Sequence, residues 1–158
     1  MREIKFRAWD KETKEMIQVT HMMWRFHCGL RVDCLSNGTT LHDASGYELM
    51  QYTGLKDKNG KEIYEGDIIS YPDTESDYVD VGIGVGLKCA EMSCYGFAPV
   101  VFALGTFGLD CDGGESLGRG FHSFEWITDT YGFTFKELEV IGNIYENPEL
   151  AEAQKEGM

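Results

Sequence analysis

The stretch Gly82 to Gly86, "GIGVG", has the glycine spacing of a nucleotide-binding turn. A dinucleotide fingerprint would need a further glycine at position 87 and a helix whose N-terminus receives the pyrophosphate. Leu87 stands there instead, no helical pattern follows, and Val79, Val81, Ile83, Val85 and Leu87 alternate as in a strand. The glycines then leave one strand face bare, so that another strand, subunit or aromatic ring can come close. His21, His27, Cys28, Cys34 and His42 lie within one segment and have the donor types of a zinc site. They include no Cys-x-x-Cys pair, and the alternation puts Cys28 and Cys34 on the apolar face with His27 opposite, so they cannot share one tetrahedron. These cysteines read as buried, inert thiols.

Asp110, Asp112 and Glu115 in "LDCDGGESLGRG" approach a calcium loop, but Gly114 takes the third acidic position and no helices flank it. The segment reads as a flexible loop. Glu65 and Asp67 form a carboxylate pair of the kind that glycoside hydrolysis uses. They flank Gly66 in a tight turn, where Asp commonly accepts from its own backbone, so their role reads as structural. No Gly-x-Ser-x-Gly elbow and no catalytic cysteine signature is present. No catalytic residue, metal site or cofactor is therefore assigned, and His21, His42 and His122 read as surface or turn residues.

The elements that would position such groups are mostly strands. Ile4, Phe6 and Ala8 alternate with Lys5 and Arg7, and "DKETKE" follows as a polar turn. From Met22 to Cys34 the apolar residues fall on even positions, the pattern of one strand with a bulge or bend at Gly29. Asn37-Gly38 and Asn59-Gly60 have the chemistry of two-residue hairpin turns. Ile68 to Tyr71, Val79 to Leu87, Phe97 to Leu104, Phe121 to Ile127 and Glu139 to Ile144 read as further strands. Only the C-terminus looks helical, with Asn147 as N-cap, Pro148 in the first turn and Glu149 favourably placed beside it. The expectation is a mainly β chain, in the form of a small barrel or sandwich closed by one short helix.

Charge divides the chain. Residues 1–61 hold ten Lys and Arg against eight Asp and Glu, a balance of +2, whereas residues 62–158 hold four against nineteen, a balance of −15. So acidic a region repels phosphate backbones, and nucleic acid is not an expected partner. Head-to-tail contact between the unlike halves, or an acidic surface that imitates DNA, are the sharper readings of this pattern. The five cysteines are an odd number, and the charged N-terminus lacks a secretory apolar run, so reduced thiols in the cytoplasm are expected. No stretch reaches the roughly 20 apolar residues of a membrane-spanning helix.

Three blocks carry a resemblance: "IKFRAWDKETKEM" from Ile4, "LMQYTGLKDKNGKEIYEGDII" from Leu49 and "VIGNIYENPEL" from Val140. Together and in this order they resemble the YopX family of phage and prophage proteins. The resemblance implies a small N-terminal β segment (1–48), an SH3-like barrel (49–147) and a C-terminal helix (148–158). It implies no activity and no catalytic residues. The expected function is a non-enzymatic protein-interaction module that self-associates and engages a host or phage protein in the bacterial cytoplasm. An acidic DNA mimic and an enzyme with a scattered site are the alternatives. Trp9, Tyr52 and Tyr64 are the candidate aromatic contact residues, with core packing as the alternative for each.

Overall fold

The computed structural model describes residues 3–25, 29–34, 40–41, 46–72, 78–80, 86–88, 95–111, 117, 119–132 and 134–156. In chain order the strands are β1 (Phe6–Asp10), β2 (Glu15–Arg25), β3 (Gly29–Cys34), β4 (Thr40–Leu41), β5 (Tyr47–Lys56), β6 (Glu62–Tyr64) and β7 (Asp67–Pro72). They continue with β8 (Tyr78–Asp80), β9 (Gly86–Lys88), β10 (Tyr95–Ala103), β11 (Thr106–Cys111), β12 (Gly120–Ser123) and β13 (Glu139–Asn143). Helix α1 (Phe124–Tyr131) follows β12, and α2 (Pro148–Glu156) ends the chain. The protein is mainly β, as expected, and divides into two compact units, Met1–Leu55 with Glu62–Glu65 and Lys56–Lys61 with Gly66–Met158.

The first unit is built on a six-stranded antiparallel sheet in the order β4-β3-β2-β1-β5-β6. Strand β1 lies between β2 and β5, and its small Ala8 pairs with Ile17 on one side and Leu49 on the other. Ala8 and Ile17 are buried, with Val19, Tyr47 and Leu49 packed against them. The polar turn after β1 is closed by Asp10, whose carboxylate accepts from the backbone N–H groups of Glu12 (2.8 Å) and Thr13 (3.1 Å). Tyr52 and Ile63 belong to this first sheet, rather than opening the second unit as expected.

The even-position run from Met22 to Cys34 is not one bent strand. It is the hairpin β2–β3, in which Trp24 pairs with Leu30 and Met22 with Val32. Even positions meet even positions, so the alternation continues unbroken through the reversal. The same holds for Val79 to Leu87, which forms the two-stranded β8–β9 ladder with Val79 opposite Leu87. Positions 82–85 of the glycine-rich stretch lie outside the described residues, as do 35–39 with the first Asn-Gly turn.

The second unit carries a five-stranded antiparallel sheet in the order β12-β11-β10-β7-β13. Among the described residues neither this sheet nor the first closes on itself. Ile69 in β7 pairs with Ala98 and Val140 on its two neighbouring strands, and all three are buried. Helix α2 begins at Pro148 as expected. A Cβ at Gly142 would lie 2.7 Å from Asn147 Oδ1 and 2.9 Å from Leu150 Cδ1, so the glycine lets the start of α2 rest against β13.

In the segment "LKDKNGKEIYEGDIIS" the carboxylates of Asp57 and Asp67 are engaged with the fold itself. Asp57 Oδ1 accepts from the N–H groups of Asn59 and Lys61 (both 2.8 Å), and its Oδ2 accepts from Val140 N–H (3.1 Å), tying the turn to β13. The turn has three residues rather than two: Asp57 N–H donates to Lys61 O at 2.9 Å. Gly60 takes the left-handed conformation at φ +81°, whereas Asn59 does not. Asp67, the other half of the suspected carboxylate pair, is buried and accepts from Asn143 Nδ2 at 3.3 Å.

Candidate functional site

The second unit presents an apolar groove at one end of its sheet. One wall is the turn between β10 and β11, where Ala103 pairs with Thr106 around the two residues Leu104 and Gly105. Both have positive φ, +53° and +85°. Such a turn matches the twist of the flanking strands but prefers Asn or Gly in both places. A leucine there is held in the left-handed region at a cost of about 1–2 kcal/mol. Its side chain is not repaid by burial, because Leu104 is 93% exposed.

The floor and far wall come from β12 and α1. Gly108 on β11 makes room for them: a Cβ there would lie 2.2 Å from His122 O and 2.7 Å from the Phe121 ring. Phe121 and His122 therefore lie close over β11. Ser123 ends the strand and caps the helix, its Oγ accepting from Trp126 N–H at 3.1 Å. Phe124 and Ile127, three residues apart, are buried beneath α1. Gly132 ends the helix at φ +68°, with its N–H donating to Thr128 O. The segment expected to run as a strand from Phe121 to Ile127 is thus a short strand turning into a helix, because Ser123 caps and the apolar spacing changes from two to three.

Helix α1 brings Trp126, 41% exposed, over His122, with ring centroids 4.7 Å apart and planes at 25°. Leu104, Thr106, Phe121, His122, Ser123 and Trp126 line a groove of about 340 Å3. Buried Nε2 of His122 has no hydrogen-bond partner among the described residues. Glu125 and Asp129 are exposed on α1, and Asp129, three residues on from Trp126, is its neighbour on the helix surface. The lining offers apolar contact, on a helix that also carries exposed carboxylates.

The residues singled out from sequence lie in the first unit. Trp9, Tyr52 and Tyr64 are 7%, 4% and 5% exposed, so they are buried in this structure and not displayed near the hairpin. Tyr52 and Tyr64 come together, ring centroids 5.4 Å apart. The Arg7 guanidinium stands 4.6 Å from the Tyr64 ring centre and Lys5 Nζ 5.5 Å from that of Tyr52. Glu62 joins them, accepting from Lys5 Nζ (2.6 Å) and Tyr64 OH (2.9 Å). Burial and the hydrogen bond to the Glu62 carboxylate push the Tyr64 phenol up to about 12. Trp9 lies in β1, opposite Met16 and Glu48.

Sequence reasoning missed Leu104, Phe121 and Trp126, and it placed His122 only as a surface or turn residue. The available signals were Ser123, Gly132 and the spacing of Phe124 and Ile127. Of the cysteines, Cys111 is buried, its Sγ 3.9 Å from the Tyr71 hydroxyl, while Cys28, Cys89, Cys94 and the Cys34 side chain lie outside the described residues. His27 and His42 lie outside them too, as do 112–116 and 118 of the suspected calcium loop. Among the described residues no three His, Cys, Asp or Glu side chains group as metal donors, and no helix is long and apolar enough to cross a membrane.

Fold and groove together define a two-unit, mainly β protein with an open apolar groove on its second unit. Residues 5–152 match the family model described as YopX protein, and the chain belongs to the YopX family. It is also similar to the crystal structure of protein EF1440 from Enterococcus faecalis, at 31% identity and a TM-score of 0.54 over 95% of this chain and 99% of that one. No curated protein matches.

Proposed function

We propose that this protein is a non-enzymatic interaction module, an accessory protein of a phage or prophage that works in the bacterial cytoplasm and self-associates. One observation carries the proposal: Leu104, an apolar side chain left in solvent on a turn whose backbone disfavours leucine. Strain retained without a packing return marks a position held for contact. Trp126 and Phe121 extend that apolar surface. Tyr52 and Tyr64 serve contact indirectly in this reading, by holding Lys5, Arg7 and Glu62 in place on the first unit, while buried Trp9 supports β1. The five-stranded antiparallel sheet of the second unit and the terminal helix support the reading of that part of the chain as an SH3-like barrel.

The test is capture from a bacterial lysate with the tagged chain, run beside Leu104→Asn and paired with light scattering across a concentration series. The expected result is a specific protein retained by the wild type and reduced by Leu104→Asn, together with a mass above that of the monomer. A monomer at every concentration removes self-association, and equal capture by both chains removes the groove as the contact. The balance of −15 in residues 62–158 favours a second reading, an acidic decoy for a DNA-binding protein. Its signature is capture that collapses as salt rises.

A further inference from the structure

We infer that the groove binds a basic peptide segment of a partner protein, anchored by one apolar side chain between Leu104 and Trp126; this rests on the interaction-module reading. The anchor follows from the lining, in which Leu104, Phe121 and Trp126 are apolar and the volume of about 340 Å3 lies in the range of pockets that take compact apolar groups. The basic character follows from charge complementarity. Among the described residues of 95–132 the acids are Asp110, Glu125 and Asp129, all exposed, and the one base is Arg119. Glu125 and Asp129 stand one helical turn apart, and Trp126 lies between them in sequence, three residues from Asp129. A Lys or Arg that extends from the anchor past Trp126 therefore comes within reach of Asp129, and one lying across the exposed indole gains a cation–π contact.

A polymer suits the site better than a small metabolite. Leu104 is 93% exposed, so the wall it forms is open to solvent, and a chain that continues past the groove covers what an isolated small molecule leaves wet. His122 stacks on the indole and steadies it, so the anchor meets a preset surface. An acidic peptide is rejected by the same carboxylates that attract a basic one.

The experiment selects peptides from a random displayed library on the full chain, then measures each selected peptide, synthesised with a fluorescent label, by anisotropy. The expected peptides carry an aliphatic or aromatic residue beside Lys or Arg. Their affinity falls about tenfold or more in Leu104→Asn and in Trp126→Ala. It falls about threefold or more in Glu125→Gln/Asp129→Asn, and also as salt rises. Leu104→Asn relieves backbone strain, so a lost signal in that variant is not a folding failure. Acidic or uncharged peptides, equal affinity in Leu104→Asn, or no selected peptide at all overturn the inference. Peptides that bind but ignore Leu104→Asn overturn it while leaving the interaction module standing. That broader reading fails separately, when lysate capture and light scattering both come back empty.

Discussion

At the scale of single residues, Leu104 and Asp57 show opposite uses of a costly placement. Leu104 spends backbone strain and recovers no burial, so replacing it with Asn, which tolerates φ near +53°, is expected to raise stability by about 1 kcal/mol in urea unfolding while weakening partner capture. Asp57 spends desolvation and recovers three backbone hydrogen bonds. Burial alone would push its carboxyl up, but the N–H groups of Val140, Lys61 and Asn59, with Lys61 nearby, hold it below the ordinary carboxylate value. A depressed folded value contributes stability that is present above the unfolded value of about 3.9 and lost as pH falls through the folded one. Asp57→Ala is expected to cost about 3 kcal/mol near neutral pH, with the gap to wild type narrowing as pH falls below about 3.9 in urea unfolding. Tyr64 runs the other way. Its phenol is raised to about 12, so it favours the fold below the unfolded value near 10 and that contribution fades as pH rises beyond it. An ultraviolet titration is expected to show Tyr64 ionising about two units late, with Tyr52, raised by burial, also above the ordinary value, and Tyr64→Phe to remove the last step.

At the scale of elements, α1 is the part on which the groove depends. Its eight residues are too few to hold a helix by propensity, so the cap and the buried pair Phe124 and Ile127 maintain it. Ser123→Ala is expected to cost about 1 kcal/mol in thermal or urea unfolding and to loosen Trp126, read as reduced affinity for groove ligands. Gly108→Ala is expected to do more, because the new methyl would meet a backbone carbonyl that cannot swing aside. It should displace β12 and α1 together, seen as loss of the shifted His122 and Trp126 ring resonances in NMR spectra. Strand content was legible wherever side chains alternate, but the direction of the chain was not. In β2–β3 and β8–β9 the pairing joins positions of equal parity, so a hairpin and a single long strand have the same signature. The helix went unread because Phe121 and Ser123 still alternate as in a strand until the cap changes the period.

For the whole molecule, charge is the property that acts at a distance. A net −13 sets up a repulsion between copies near neutral pH that specific self-association has to outweigh, and that repulsion vanishes near the isoelectric point of about 4.6. Turbidity is expected to peak there. Self-association driven by the unlike halves is expected to weaken with salt in light scattering, whereas association through the apolar groove holds or strengthens. The two outcomes tell which surface joins the copies.

The amino-acid sequence by itself determined the mainly β class, the terminal helix, the acidic second half and the family, because these depend on local pattern, composition and word-like motifs. It also indicated that the stretch from Leu55 to Ser70 builds rather than reacts, since Asn-Gly and Glu-Gly-Asp are turn chemistry. Only the tertiary structure decided that Tyr52 and Tyr64 lie buried beside Lys5 and Arg7, that β5 and β6 join the first sheet, and that Leu104 and Trp126 face one groove. Burial and strand pairing are set between residues far apart in the chain, and a one-dimensional pattern records the period of a side chain but not what covers it.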